Sequence, residues 1–190
     1  MNWTNIDGWC DFGWLYERVV NRYQTGSTFV ETGTWKGKSS CCMGELIRSS
    51  GKKIKFFTID TFVGEGGEPT YDADSVLQKE KTLLPEFLRN RDMCGVSDYV
   101  DYIQSDAVSA SALMEDGSVE FIFLDSSHQE DHVYRELISW YPKLKVGGTM
   151  AGHDQHHPPI QSALRRFCSE NGIHYHSEGS CWILDIPNKQ

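Results

Sequence analysis

The sequence predicts an α/β fold: a seven-stranded, mostly parallel sheet with helices on both faces and a C-terminal antiparallel hairpin. Three observations carry that expectation. Short apolar runs alternate with amphipathic helical patterns along most of the chain, which is how a parallel sheet with crossover helices is written. The runs FVET, IKFFTID and VEFIFLD are almost continuously apolar, as strands covered on both faces must be. Each of the first five runs also ends in or beside an acid, at Glu31, Asp60, Asp106, Asp125 and Asp154.

The elements follow in order. Residues 9–23 space Trp9, Phe12, Trp14 and Tyr16 as a helix does, ahead of a first strand over 28–32. A helix over 38–50 stops at Gly51, a residue suited to the left-handed turn that ends helices. Residues 54–60 are aromatic and β-branched and read as a second strand. An acidic, glycine-rich loop over 63–74 leads to a broken helix over 73–81 and 85–91. A third strand over 99–104 precedes a helix over 107–115, and 119–125 is the central strand. The amphipathic stretch 130–141 is stopped by Pro142, since proline removes a donor and clashes with the preceding turn. A fifth strand over 148–152 leads into His153 and Asp154, 160–170 is helical, and 173–176 with 181–186 form the hairpin.

Composition narrows the function. A chain of 190 residues, 39% hydrophobic and 12% aromatic, has material for one well-packed core, so a single domain over 1–190 is expected. Its first segment, 1–27, either packs on the sheet or folds over a substrate. A net charge of −9 argues against a nucleic-acid backbone as partner. No apolar run reaches the roughly 20 residues of a membrane span, and the start MNWTNIDGWCDF lacks a basic and apolar leader, so a cytoplasmic protein is expected. The six cysteines show no C-x-x-C pairing and read as buried small apolar residues.

The most informative stretch is FVETGTWKGKS, a strand that breaks into a glycine-rich turn and then a helix. Glycines there let a ligand approach the backbone, and the helix start offers free N–H groups. A pyrophosphate would use those donors but would be repelled by Glu31. A ligand with an ammonium and a carboxylate and no phosphate suits the turn, which is the profile of S-adenosylmethionine. In open α/β sheets ligands sit outside the carboxyl ends of the strands, so the acids there are the residues to weigh.

Together with FFTIDTFVGE (56–65), YIQSDA (102–107), FIFLDSSHQEDHVYRELISWYPKLKVGGTMAGHD (121–154) and PPIQSALRRF (158–167), this turn resembles class I S-adenosylmethionine-dependent methyltransferases. The likeness is to the small-molecule O-methyltransferases of catechol and macrolide-sugar type. It implies a Rossmann-like sheet with Glu31, Gly33, Thr34, Trp35 and Ser39 at the methionine end of the cofactor. Asp60 would hold the ribose, Ser105 and Asp106 the adenine, and Asp125 would lie beside the reacting methyl. On the residues alone, Glu31 and Asp106 also suit helix capping, and Asp60 a strand-ending turn.

The resemblance further implies that His128 serves as general base with Asp154 as its catalytic partner. It also implies that Asp125, Asp154 and Gln155 can hold Mg²⁺. Many relatives read D-G-D-H where this chain has Asp125-Ser126-Ser127-His128, and asparagine where Gln155 stands. A metal-free site is the alternative. His128 and His132 share the spacing of zinc hydrolases, but Gln129 replaces the glutamate that motif needs. The expected function is methylation of a small acceptor, a sugar or other hydroxylated compound, by an enzyme able to form a homo-oligomer. A cofactor-binding module without catalysis and a metal-assisted hydrolase are the rivals.

Overall fold

The computed structural model describes residues 1–64 and 73–186. The expected loop over 63–74 therefore falls mostly on residues 65–72, which lie outside the described residues. Seven strands form one sheet: β1 (Thr28–Thr32), β2 (Lys55–Asp60), β3 (Asp101–Gln104), β4 (Val119–Leu124), β5 (Leu144–Gly152), β6 (His174–Glu178) and β7 (Cys181–Asp185). Their order is β3-β2-β1-β4-β5-β7-β6. The first five pair in parallel, and β7 runs antiparallel to both β5 and β6. The α/β expectation holds, hairpin included.

Alternation along the central strands builds two cores. Phe29, Phe56, Phe121 and Phe123 face one side, where they meet α1 (Gly13–Arg22), α2 (Lys38–Ser50) and α4 (Leu84–Met93). Val30, Ile59, Val119, Ile122 and Leu124 face the other. There they pack with α5 (Ala107–Ala110), α6 (Glu130–Trp140) and α7 (Pro158–Asn171), the last two contributing Leu137, Trp140, Leu164 and Phe167. A short helix α3 (Ser75–Glu80) is started by Asp74, whose side chain accepts from the N–H groups of Val76 and Leu77. All six cysteines are free, and five are buried.

Several boundaries move for identifiable reasons. The first helix starts at Gly13 rather than residue 9, because residues 6–12 form a separate strap pinned by tertiary contacts. The fifth strand begins at Leu144, four residues early, because Gly147 and Gly148 form a bulge inside it rather than a turn before it. A Cβ on Gly148 would lie 2.8 Å from the Lys145 carbonyl oxygen and 3.0 Å from that of Glu120. The helix expected over 107–115 is one turn of α-helix at Ala107–Ala110 that tightens into a 3₁₀ turn at Ser111–Leu113.

Candidate functional site

Crossovers leave β1 toward β2 on one side and return through β4 on the other, so the carboxyl ends of β1 and β4 frame a crevice at the switch point. Gly33 sits at its floor. Its φ of +86° needs glycine, and a Cβ would fall 1.9 Å from the Asp125 carbonyl oxygen, well inside contact distance. The two strand ends can run this close only over a residue without a side chain. The turn continues through Trp35 at φ +51° and Gly37 at φ +87°, and Gly37 directly precedes α2.

Here a cavity of about 310 Å³ opens. Gly33, Thr34, Trp35 and Ser39 line it from the turn and α2; Asp60 lines it from β2. Ser105 and Asp106 border it after β3, and Asp125 after β4. Eight of the nine residues expected around a cofactor therefore share one cavity. Glu31 is the ninth and lies behind the wall. It is fully buried and accepts from Tyr16 Oη at 2.7 Å, from Thr58 Oγ1 at 2.9 Å and from Ser40 Oγ. Burial pushes its carboxyl above the usual range, against the pull of these hydroxyls.

Asp60 holds the turn itself. Its Oδ2 accepts from the N–H groups of Thr34 at 2.7 Å and Trp35 at 2.9 Å, and Oδ1 from that of Phe62 at 2.7 Å. Burial raises its carboxyl, and the three N–H donors oppose the rise. Asp106 borders the cavity and is also a helix cap. It caps α5 by accepting from the N–H of Ser109 at 2.9 Å, and its hydrogen bonds with Ser109 lower its carboxyl. Beneath the β4 end, the buried Glu136 accepts from Ser126 Oγ at 2.7 Å and Thr32 Oγ1 at 3.0 Å, bracing the loop that follows Asp125.

The cavity also takes residues outside the expected set. Gly8 and Trp9 come from the strap, Lys38 from the first residue of α2, and Gln129 and His132 from the start of α6. Lys38, Gln129 and His132 stand one to four residues from expected positions, so proximity in sequence was an available signal. Gly8 and Trp9 lie in the first segment, for which folding over a substrate was one of the two expected placements.

Asp125 joins the cavity to a second cluster. One ligand atom each from Asp125, His128 and Asp154 lie within 4.8 Å of one another. His128 Nε2 is 2.9 Å from Asp154 Oδ2, and His153 Nδ1 is 3.2 Å from the same oxygen and 3.7 Å from Asp125 Oδ1. Burial pushes Asp125 up to about 8, against the charge of His153. Burial alone would raise Asp154 too, but the imidazoles of His128 and His153 outweigh it and hold this carboxyl well below the usual range. His153 is raised to about 9: burial lowers it, and its hydrogen bond to Asp154 with the charges of Asp125, Asp154 and Asp11 outweighs that.

Neither His128, Asp154 nor Gln155 lines the cavity; the three lie beyond Asp125. As a metal centre the group offers two carboxylates and an imidazole. Gln155 aims its amide nitrogen at the Gly179 carbonyl, 3.3 Å away, and at the His156 ring. His132 lines the cavity wall and His128 does not, and the cluster of three ligand residues found among the described residues is Asp125, His128 and Asp154, without His132.

A glycine-floored crevice at the switch point, ringed by strand-end acids, fits the class I S-adenosylmethionine-dependent methyltransferases that the turn and the strand ends resemble. Residues 30–155 match the family described as a methyltransferase domain, and the chain belongs to that family. Solved structures share the fold at low identity. The O-methyltransferase NovP superposes with a TM-score of 0.70 at 17% identity, over 91% of this chain and 78% of that one. The calicheamicin enzyme CalS11, a TDP-rhamnose 3'-O-methyltransferase, gives 0.58 at 15%, over 90% and 77%. A protein from Clostridium thermocellum described as a putative rRNA-methylase gives 0.60 at 10%, over 94% and 97%. No helix among the described residues is long and apolar enough to cross a membrane.

Proposed function

We propose that this enzyme transfers the methyl group of S-adenosylmethionine to a hydroxyl oxygen of a small molecule. The observation that carries the reading is the position of Asp125. It is a wall of the cofactor cavity and, at the same time, a vertex of the His128–Asp154 cluster. In this arrangement the methionine end lies along Gly33, Thr34, Trp35 and Ser39, with Glu31 supporting the turn from behind. Asp60 takes the ribose hydroxyls on lone pairs the turn leaves open, and Ser105 with Asp106 meets the adenine.

The acceptor oxygen attacks the methyl carbon in line with the departing sulfur. The C–S bond breaks as the C–O bond forms, leaving S-adenosylhomocysteine and a methyl ether, and the hydroxyl proton passes to His128. With His128 Nε2–H donating to Asp154, the proton is taken at Nδ1, and the Asp154 carboxylate stabilises the resulting imidazolium. A dication such as Mg²⁺, when bound by the carboxylates of Asp125 and Asp154, would polarise the acceptor oxygen and lower its pKa. Gln155 joins that set only if its amide turns away from Gly179.

The charge of the chain supports a small acceptor. A chain of net charge −9 repels an RNA backbone, although one fold neighbour is described as a putative rRNA-methylase. The sugar acceptor of CalS11 makes hydroxylated sugars the first panel to try.

His128→Gln tests the reading. It is expected to lower the rate of S-adenosylhomocysteine formation about 100-fold or more while leaving cofactor affinity within about twofold. The measurement uses calorimetry and a panel of hydroxylated acceptors with and without Mg²⁺. Absence of S-adenosylmethionine binding would overturn the cofactor assignment. Binding without turnover on any acceptor would favour a cofactor-binding module, a rival kept open by Ser127 standing where relatives carry an acid.

A further inference from the structure

The strap over residues 6–12 and the buried His153 have no part in the steps above, yet they are joined at the reacting end. His153 directly follows β5 and is 9% exposed. Each of its ring nitrogens faces carboxylates: Nδ1 faces Asp154 and Asp125, and Nε2 lies 3.0 Å from Asp11 Oδ1. The Phe12 ring packs against His153 with centroids 5.0 Å apart and against Phe123 at 4.5 Å. The polar anchor of the strap thus sits beside its apolar anchor. Between Asp11 and the strap's other ionic tie, Asp7 to Lys36 at 2.8 Å, lie Gly8 and Trp9, which line the cavity.

We propose that His153, held from behind by Asp11, is the positioning residue for the Asp125–Asp154 carboxylate pair, and that the same link fastens the strap across the cofactor cavity. This rests on the reading of Asp125 and Asp154 as the reacting end. The two carboxyl groups stand at the ends of neighbouring strands and share the Nδ1 edge of one imidazole. The ring donates from Nδ1 to Asp154 and holds the same edge 3.7 Å from Asp125, so it lies between the two, and Asp154 Oδ2 then meets His128 from the other side. The ring keeps this orientation only while Nε2 has its own acceptor. Asp11 supplies one from a segment with no other role at the reacting end. Loss of Asp11 therefore loosens two things at once: the cavity-facing strap and the orientation of His128.

Asp11→Ala is the informative variant, because Asp11 is mostly exposed and its loss leaves the core untouched. Two readouts separate positioning from bulk stability. Amide hydrogen exchange over residues 6–12 is expected to quicken by about tenfold, the effect of one lost charge-assisted hydrogen bond, while the central strands keep their protection. The imidazole ¹⁵N spectrum of His128 is expected to change from a single Nε2–H tautomer to a mixture. His153→Asn, which keeps one donor toward the carboxylates, should restore the His128 signature partly where His153→Ala does not. Unchanged strap exchange together with an unchanged His128 spectrum in Asp11→Ala overturns the proposal. Calorimetry with S-adenosylhomocysteine on the wild type is run alongside. If it shows no binding, the functional reading fails, while the two Asp11 readouts still decide whether the link exists.

Discussion

Asp125 carries a folding cost that pH can expose. Its carboxyl is held up to about 8 against an ordinary 3.8, so the native chain keeps a proton there that the unfolded chain releases. A raised acid contributes stability that is complete below the unfolded value and lost as pH rises through the folded one. His153, held up to about 9, has the same sign over a higher range. Asp125→Asn removes the titration and much of what raises His153. Between about pH 5 and about pH 8.5, with chelator present, the wild type should lose at least ~1 kcal/mol more stability than Asp125→Asn. Urea denaturation at the two pH values checks this, and equal losses would contradict it. At this scale the sequence was partly legible. Asp60, Asp106 and Asp125 fall where strand ends place them, because a strand end is a local property. Glu31 shows the limit: an acid in a glycine-rich turn looks like a ligand contact, and only packing reveals Tyr16, Ser40 and Thr58 around it.

Elements around the crevice are tied by Lys36, whose Nζ reaches Asp7 at 2.8 Å and Asp74 at 2.7 Å. The two ties are unequal. Asp7 is 77% exposed, so its pair should be worth about 0–1 kcal/mol. Lys36 and Asp74 are both 8% exposed, and losing Asp74 leaves the buried ammonium only the exposed Asp7 as a close partner, at up to about 3 kcal/mol. Asp74 also caps α3. Asp7→Ala should therefore change stability little and Asp74→Ala strongly, as read by urea midpoints; the reverse order would show that the strap is the principal anchor. Helix and strand types were legible throughout because periodicity is local. Boundaries failed where tertiary contacts intervene, at residues 9–12, where Asp11 and Phe12 dock on His153, and at Gly147–Gly148, where a bulge resembles a turn.

For the whole molecule, the cofactor crevice joins both halves of the sheet, since Gly33 and Asp125 belong to strands on either side of the switch point. Ligand binding should stabilise the fold as a unit. At 100 times its Kd, S-adenosylhomocysteine should contribute about 2.7 kcal/mol, raising the Tm by roughly 5–10 °C for a domain of this size. A shift below about 2 °C at that concentration would mean that the ligand does not bind the native fold in preference to the unfolded chain. A mostly parallel seven-stranded sheet with a C-terminal antiparallel hairpin was expected from the alternation of elements and the resemblance together. The docking of Asp11 and Phe12 on His153 was not, because nothing between Met1 and Phe12 signals a partner more than a hundred residues away.

The grip of Asp60 on the glycine-rich turn has a consequence for selectivity. The two N–H groups it receives, from Thr34 and Trp35, are the donors a nucleotide phosphate would seek. The protein has seated an anion of its own there, covalently tethered and present in every molecule. ATP and the nicotinamide dinucleotides share the adenosine half of the cofactor, but their phosphates would arrive at a place already taken by a like charge. The turn is thus expected to act as a built-in competitor, which calorimetry would read as far weaker binding of ATP than of S-adenosylhomocysteine.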